Sequence, residues 1–254
     1  MTLRQTIRSV LLPRDQIAKE IGERVRCCPR PDWRPLDCPR SETNSDYRYW
    51  ERISTRLLSF QPDNPDGWIV LGHSRFQLCD LEGACKAYRV AARLRDDVAT
   101  WYSLGLCSTG NERVVACHTA LRLKSDDAMS WHLLGNALKD AGDYEQAIQC
   151  LKTATDYSGP ESAAWVLCDL GLCHMSTHDR EDSITAFERS IRADGGYAFN
   201  TMAANIADAC LAESPEFACA LHLRLRTLYP YGADFFLRCF NTRLAGKNAA
   251  GVQS

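Results

Sequence analysis

The chain has 254 residues, of which 45% are apolar and 24% are charged, and its formal net charge is -2 at pH 7. This balance is typical of a soluble, folded protein and argues against intrinsic disorder. The near-neutral charge argues against a general nucleic-acid binder, which needs a basic surface. No stretch has the roughly 18 consecutive apolar residues of a membrane-spanning helix.

Residues 1–26 are predicted to form a basic, amphipathic N-terminal arm. Residues 1–40 contain nine Arg or Lys and five Asp or Glu. Apolar residues recur at helical spacing on both sides of Pro13, first as Leu3, Ile7, Val10 and Leu11 and then as Ile17, Ile21 and Val25. We expect the arm to dock on the rest of the chain or on a partner. Its early arginines also weakly resemble a mitochondrial presequence.

Residues 27–45 are predicted to be a linker rich in proline and cysteine. Its prolines favour extended backbone, so a spacer is the default interpretation, and docking of Trp33 into a groove is the alternative. Structural zinc sites pair cysteines roughly two to four residues apart and add a second pair. Here Cys27 and Cys28 are adjacent and Cys38 lies ten residues on, with no clear fourth ligand. We therefore predict no metal.

The phrase Trp-x-x-Leu-Gly recurs along the middle of the chain. It ends at Gly72, Gly105 and Gly135, at intervals of 33 and 30 residues. A fixed period in this range indicates a stack of repeats. A fourth copy, without the tryptophan, ends at Gly171.

The clearest unit runs from Met129 to Ser158. Apolar residues follow a helical period on both sides of Gly142, which interrupts the pattern, and Asp143 can cap the second helix. Small residues stand where two helices must cross closely: Gly135, Ala147 and Ala154. This pattern closely resembles the tetratricopeptide repeat. The resemblance implies an all-α, right-handed superhelical solenoid of stacked helix-turn-helix repeats with a C-terminal capping helix.

The repeat pattern places the solenoid at 46–231. Its predicted parts are a half repeat at 46–62, consisting of a second helix alone, and five repeats at 65–97, 98–127, 128–161, 164–197 and 199–230. The amphipathic segment 232–246 is predicted to cap the last repeat, and 247–254 to form a flexible tail. Phe236 and Phe240 are alternatively candidates for an exposed aromatic docking patch.

Two intervals depart from the period. The 30 residues from Gly105 to Gly135 place a deletion near residues 108–111 and predict a first helix about one turn short. The 36 residues from Gly135 to Gly171 indicate a gain of two residues around 158–160. Neutral drift and a notch shaped for a partner are both open interpretations.

The 13 cysteines cannot all pair within the chain, because their number is odd. Several occur at helical spacing among apolar residues and are predicted to be small buried hydrophobes: Cys79, Cys85, Cys117, Cys150 and Cys219. No apolar run of a secretory signal follows Met1. We therefore expect a reducing compartment, the cytoplasm, with mitochondria as the alternative.

No pattern in the chain predicts catalysis, a cofactor or a bound metal. The acidic pairs Asp96–Asp97 and Asp126–Asp127 fall at equivalent points between repeats, where turns or caps are expected. A cluster of cysteine and histidine is explained by core packing and by a polar turn: Cys168, Cys173, His174 and His178.

The resemblance implies that the first helices line a concave groove for a peptide or helix of a protein partner. By position, the groove residues are His73, Phe76, Tyr102, Leu106, His132, Asn136, Lys139, Cys168, Leu172 and Met175. In many family members an asparagine at the position of Asn136 hydrogen-bonds ligand backbone, and a solvated polar residue is the alternative here. The two-carboxylate clamp that holds chaperone tails is absent, because its positions carry Ile69, His73, Ala99, Tyr102 and Leu106.

We therefore predict a non-enzymatic scaffold or adaptor that binds a protein partner and helps to assemble a larger complex. A mitochondrial or ribonucleoprotein assembly subunit that uses the basic arm is the first alternative. A metal- or redox-sensing adaptor that uses Cys27, Cys28 and Cys38 is the second.

Overall fold

The computed structural model describes residues 13–27 and 44–251. Every regular element in these ranges is an α-helix, as predicted. The helices are α1 Arg14–Cys27, α2 Asn44–Leu58, α3 Pro65–Gln77, α4 Leu81–Leu94, α5 Val98–Cys107, α6 Gly110–Leu123, α7 Ala128–Asp140, α8 Tyr144–Tyr157, α9 Pro160–Ser176, α10 Arg180–Asp194, α11 Tyr197–Glu213, α12 Pro215–Leu228 and α13 Pro230–Gly251. The expectations for residues 1–12 and for Cys28, Trp33 and Cys38 lie outside the described residues.

The chain divides into two compact units between Ser125 and Asp126. The first unit contains α1 to α6 and the second contains α7 to α13. Helices α3 to α12 form five consecutive pairs, namely α3–α4, α5–α6, α7–α8, α9–α10 and α11–α12. Helix α9 begins at Pro160 and α11 at Tyr197, so each starts before the predicted start of its repeat. Within every pair the two helices pack against each other. None of the described helices is long and apolar enough to cross a bilayer.

Two helix lengths follow from the irregular intervals. Helix α5 has 10 residues where α3 and α7 have 13 each, so it is about one turn shorter, as the deletion predicts. It ends directly before Ser108, inside the segment where the deletion was placed. Helix α9 has 17 residues and begins at Pro160, where the gain of two residues was placed.

The C-terminal half of the basic arm packs on the first unit. Helix α1 places Ile17 and Ile21, both fully buried, in one cluster with α2 and α3. The residues they join there are Tyr49, Ile53, Leu57 and Val70. The guanidinium of Arg24 lies 5.4 Å from the centre of the Trp50 ring. Helix α2 is therefore not an isolated half repeat, because α1 covers it.

The repeat glycines stand where the two helices of a pair approach closely. A Cβ on Gly72 would lie 2.6 Å from the Tyr88 ring, and one on Gly171 would lie 2.6 Å from the Phe187 ring. At Gly135 it would lie 2.8 Å from Leu151. Atoms this close overlap, so the last residue of Trp-x-x-Leu-Gly is fixed by the helix crossing.

The acidic residues between helices are caps, as predicted. The Thr100 N–H donates to Asp97 Oδ1 at 2.7 Å, and the Ser130 N–H donates to Asp127 Oδ2 at 3.0 Å. Asp96 accepts a 2.6 Å hydrogen bond from the Trp101 indole. The bonds to Asp97 and Asp127 satisfy backbone donors that a helix N-terminus leaves without a partner, whereas Asp96 binds a side chain in the turn.

Helix α13 closes the second unit through its aromatic face. Phe236 is fully buried and Phe240 is 4% exposed, and the Phe236 ring centre lies 6.1 Å from that of Phe199. The alternative of an exposed patch at Phe236 and Phe240 is therefore wrong. Residues four apart share a helix face, and here that face points into the core. Phe235, on another face, is 40% exposed.

The burial of the cysteines was predicted correctly only in part. Cys117 and Cys150 are buried, whereas Cys85 is half-buried and Cys79 and Cys219 are exposed. Cys79 lies in the turn between α3 and α4 with φ 63°, so it is not on the apolar face of either helix. Cys219 lies on an outward face of α12.

Candidate functional site

The ten predicted groove residues lie on the first helices α3, α5, α7 and α9. Five of them are buried: His73, Tyr102, His132, Cys168 and Met175. The other five are half-buried and offer surface to a partner: Phe76, Leu106, Asn136, Lys139 and Leu172. Binding by these residues stays a prediction.

In the second unit, three of these residues converge on one carboxylate that the sequence did not single out. His132, Asn136 and Lys139 share one face of α7, and Asp169 lies on α9. His132 Nε2 lies 2.7 Å from Asp169 Oδ2, and Lys139 Nζ lies 2.6 Å from Oδ1. Asn136 Nδ2 donates to Oδ2 at 3.2 Å. We call these four residues the Asp169 cluster.

Asp169 is held in its charged form although it is 7% exposed. Burial alone would raise the pKa of its carboxyl, but the hydrogen bond from His132 and the positive charge of Lys139 outweigh burial and hold the pKa well below its usual value. An ionised carboxylate only accepts hydrogen bonds, so His132 Nε2 is the donor in this contact. The cluster therefore joins the first helices of two successive repeats through one negative charge.

Asn136 is only partly satisfied within the cluster. Its Nδ2 is bound to Asp169, while its Oδ1 is buried and has no hydrogen-bond partner. A buried acceptor without a partner costs about 1–3 kcal/mol. A donor that reached this oxygen would remove that cost.

In the first unit, His73 is neutral at pH 7. Burial, and secondarily the charge of Arg24, lower its pKa to about 3. Its Nε2 has no hydrogen-bond partner, and its ring packs edge-to-face on Tyr88 at 5.7 Å. His73 therefore supplies no positive charge to the surface of its repeat.

The cluster of Cys168, Cys173, His174 and His178 belongs to the core and to a turn, as interpreted from the sequence. The Cys168 Sγ lies 3.1 Å from Ser190 Oγ, and burial raises its pKa to about 12. His178 is in the turn after α9 with φ 64°, and its Nδ1 lies 2.7 Å from Glu213 Oε2. Across residues 13–27 and 44–251, no group of three metal-binding side chains is close enough to hold an ion.

The sequence contained one signal for Asp169. It stands alone as an acidic residue within the apolar run 163–172 of α9. A charge on an otherwise buried helix requires a partner, because an isolated charge is costly to bury. Its three partners lie 30 to 37 positions earlier, so their contact depends on how the repeats stack.

The tetratricopeptide repeat family model matches residues 126–194, which comprise α7 to α10. No curated protein sequence matches the chain. Solved structures resemble a larger part of it, at low sequence identity.

Three of these structures illustrate the likeness. MamA 41-end from Desulfovibrio magneticus RS-1 has a TM-score of 0.56 at 15% identity, over 74% of this chain and 98% of that one. YrrB, described as a TPR protein with an unusual peptide-binding site, has a TM-score of 0.51 at 16% identity, over 71% and 95%. A chain of the Cut9–Hcn1 complex has a TM-score of 0.56 at 16% identity, over 89% and 46%. These likenesses establish a repeat fold.

Proposed function

We propose that the chain is a non-enzymatic scaffold that binds a peptide or helix of a protein partner on its first helices, as its match to the tetratricopeptide repeat family over residues 126–194 and its repeat fold suggest. The partner would be held as part of a larger assembly. Repeat stacks offer long surfaces rather than enclosed pockets, which suits this role.

The Asp169 cluster is the observation that carries the proposal. Asn136, Lys139 and Leu172 are half-buried and lie on the helices α7 and α9. Leu172 is one turn from Asp169 on the same face of α9. This surface combines a half-buried amide side chain, an ammonium group and an apolar side chain. An extended or helical peptide presents matching groups, namely backbone N–H, carbonyl oxygen and apolar side chains.

Asp169 would act as a positioning residue in this scheme. It fixes the side chains of Asn136 and Lys139 before the partner arrives, so less side-chain entropy is lost on binding. His132 supports the carboxylate from the buried side and would not contact the partner.

The experiment compares two substitutions that each introduce one arginine into the repeat 128–161. Asn136→Arg places the new group on the first helix, and Gln149→Arg places it on an exposed position of the second helix, α8. The tagged chain is used to purify partners from cells that express it. We expect a stoichiometric partner with the wild type and with Gln149→Arg, and its loss with Asn136→Arg.

Circular dichroism of the purified variants checks that both remain folded. Equal retention of the partner by both variants would place binding elsewhere and refute the assigned surface. Recovery of no stoichiometric partner by the wild type would count against the scaffold itself.

A further inference from the structure

Two thiols of the first unit lie side by side across the boundary between two repeats. Cys85 is on α4, and Cys107 is the last residue of the short helix α5. Both side chains belong to one apolar cluster. The Cys85 Sγ lies 3.4 Å from the hydroxyl of Ser108, the residue next to Cys107. The Cys85 side chain is also a hydrogen-bonding neighbour of Cys107 and contributes, after burial, to the raised pKa of that thiol. The two thiols therefore lie next to each other across the boundary between α4 and α5.

Two charged side chains contact the Cys85 sulfur. The Arg89 guanidinium donates to its Sγ at 3.5 Å, and Glu112 Oε2 lies 3.8 Å from the same atom. Arg89 is held in place by two hydrogen bonds to Glu112, of 2.8 and 3.0 Å. Arg89 therefore places a hydrogen-bond donor and a positive charge directly against the Cys85 sulfur. The Cys85 thiol itself donates to the Glu112 carboxylate.

The two cysteines also differ in access. Cys85 is half-buried, while Cys107 is 9% exposed and donates to backbone carbonyls at 3.4 Å. Burial, and secondarily the nearness of Cys85, raises the pKa of Cys107 far above its usual value. Cys107 therefore stays protonated while Cys85 meets the oxidant first.

We propose that Cys85 is oxidised by hydrogen peroxide and that Cys107 resolves the product as a disulfide joining α4 to α5. In the first step the Cys85 sulfur attacks the peroxide, forming an S–O bond and breaking the O–O bond. The departing hydroxide takes up the proton of the Cys85 thiol and leaves as water. In the second step the Cys107 sulfur attacks Cys85, an S–S bond forms, and the S–O bond breaks. The leaving hydroxide takes the Cys107 proton, so two thiols are oxidised and one peroxide is reduced to two waters.

The product would tie the repeat 65–97 to the repeat 98–127. A cross-link between neighbouring repeats restricts their opening relative to each other, and it stabilises the folded unit by limiting the unfolded chain. Because α5 is about one turn short, its last residue is the one next to Cys85. The deletion in this repeat thus places the second thiol at a helix end, where small movements are easiest.

The test treats the full chain with hydrogen peroxide and maps its cysteines by mass spectrometry without reduction. We expect a Cys85–Cys107 cross-linked peptide, lighter by two hydrogens, that a reductant reverses. Cys107→Ser should instead accumulate a sulfenic acid at residue 85 that reacts with dimedone. Cys85→Ser should form neither product. Arg89→Gln should slow the oxidation several-fold.

Exposed Cys79 is the internal control, because it is a more accessible thiol of the same unit and lies in the turn between α3 and α4. Oxidation of Cys79 with Cys85 still reduced would overturn the proposal, as would a disulfide from Cys85 to any other cysteine. Since a serine variant could fold poorly, alkylation of the wild type gives a second measurement. Cys85 should react with iodoacetamide faster than Cys107, and the reverse order would contradict the assignment.

Discussion

At the scale of single residues, the stability of the second unit depends on the negative charge of one side chain, Asp169. Asp169 is almost fully buried and accepts hydrogen bonds from three side chains of the preceding repeat. A buried carboxylate is tolerated only when its partners replace the water it has lost. Removing the charge therefore leaves the donors of the neighbouring helix without an acceptor of equal strength.

We expect Asp169→Asn to lower the free energy of unfolding by about 3 kcal/mol, the lower end of the range for breaking a buried pair. Lys139 retains 24% side-chain exposure, so water compensates it in part. Urea denaturation followed by circular dichroism measures the effect. Asp156→Asn, on an exposed position of α8, is the control and should change stability little. Equal stability of both variants would show that the cluster is not structural.

His73 predicts how the stability of the first unit depends on pH. Its pKa in the folded chain is lowered to about 3 from 6.5, so below pH 6.5 the unfolded chain binds a proton that the folded chain does not. The contribution of neutral His73 to the free energy of unfolding is therefore fully present above pH 6.5 and is lost as the pH falls toward 3. The loss approaches about 1.4 kcal/mol per pH unit.

We expect His73→Phe to flatten this slope between pH 6 and about 4, because phenylalanine keeps the packing on Tyr88 and does not titrate. The measurement is urea denaturation at several pH values. His118→Phe, at an exposed position of α6, is the matched control and should leave the slope unchanged. A slope that survives in His73→Phe would assign it to other groups.

At the scale of helices, the glycine of each repeat sets how closely a pair can pack. The α9–α10 crossing places the Phe187 ring where a Cβ on Gly171 would lie. Adding a methyl group to a packed crossing forces side chains from their rotamers at a cost of typically about 1–3 kcal/mol.

We therefore predict that Gly171→Ala destabilises the second unit by about 2 kcal/mol and that Phe187→Leu in the same chain recovers part of the loss. Leucine already serves as the neighbour of the equivalent Gly135. Gly159→Ala is the control, since nothing lies within 4 Å of its added Cβ. Thermal unfolding compares the variants. A neutral Gly171→Ala would mean that the crossing can widen freely.

Local signals account for most of the fold that the sequence predicted. Periodic apolar residues and the caps at Asp97 and Asp127 act within one or two turns, so they are visible in a linear sequence. Asp169 and its partners are different. Their contact joins two repeats, and its geometry depends on the stacking of α7 on α9, which no local pattern encodes. The same holds for Cys85 and Cys107, which are 22 positions apart.

Burial on a helix face was the other source of error. A period of 3.6 identifies which residues share a face but not whether that face meets the core. Phe236 and Phe240 share a face that is buried, whereas Cys219 lies on one that is exposed. Five of the predicted groove residues are also buried, and binding in the groove stays a prediction.

At the scale of the whole molecule, the chain consists of two compact units, and each contains apolar clusters of its own. In repeat proteins each repeat is stabilised by its immediate neighbours, so a set of adjacent repeats with a terminal cap can fold alone. The second unit has such a cap in α13.

We expect residues 126–254 to fold as a helical, cooperative unit when expressed without the first. Residues 126–194 should be much less stable, because they lack the packing of Phe199 on Phe187 at 5.7 Å and the closure by α13. Circular dichroism during thermal unfolding compares the two fragments. Failure of the longer fragment to melt cooperatively would show that the second unit requires the first.

The docked helix α1 has a further consequence for the first unit. Burial of Ile17 and Ile21 contributes about 1.5–3 kcal/mol for each side chain. Residues 28–43 join α1 to α2 covalently, so this packing occurs at the high effective concentration of a tethered segment. Proteolysis within 28–43 would make the same contact bimolecular. Helix α1 could then dissociate from α2 and α3. Another amphipathic helix with two isoleucines four residues apart would compete for the surface that it leaves.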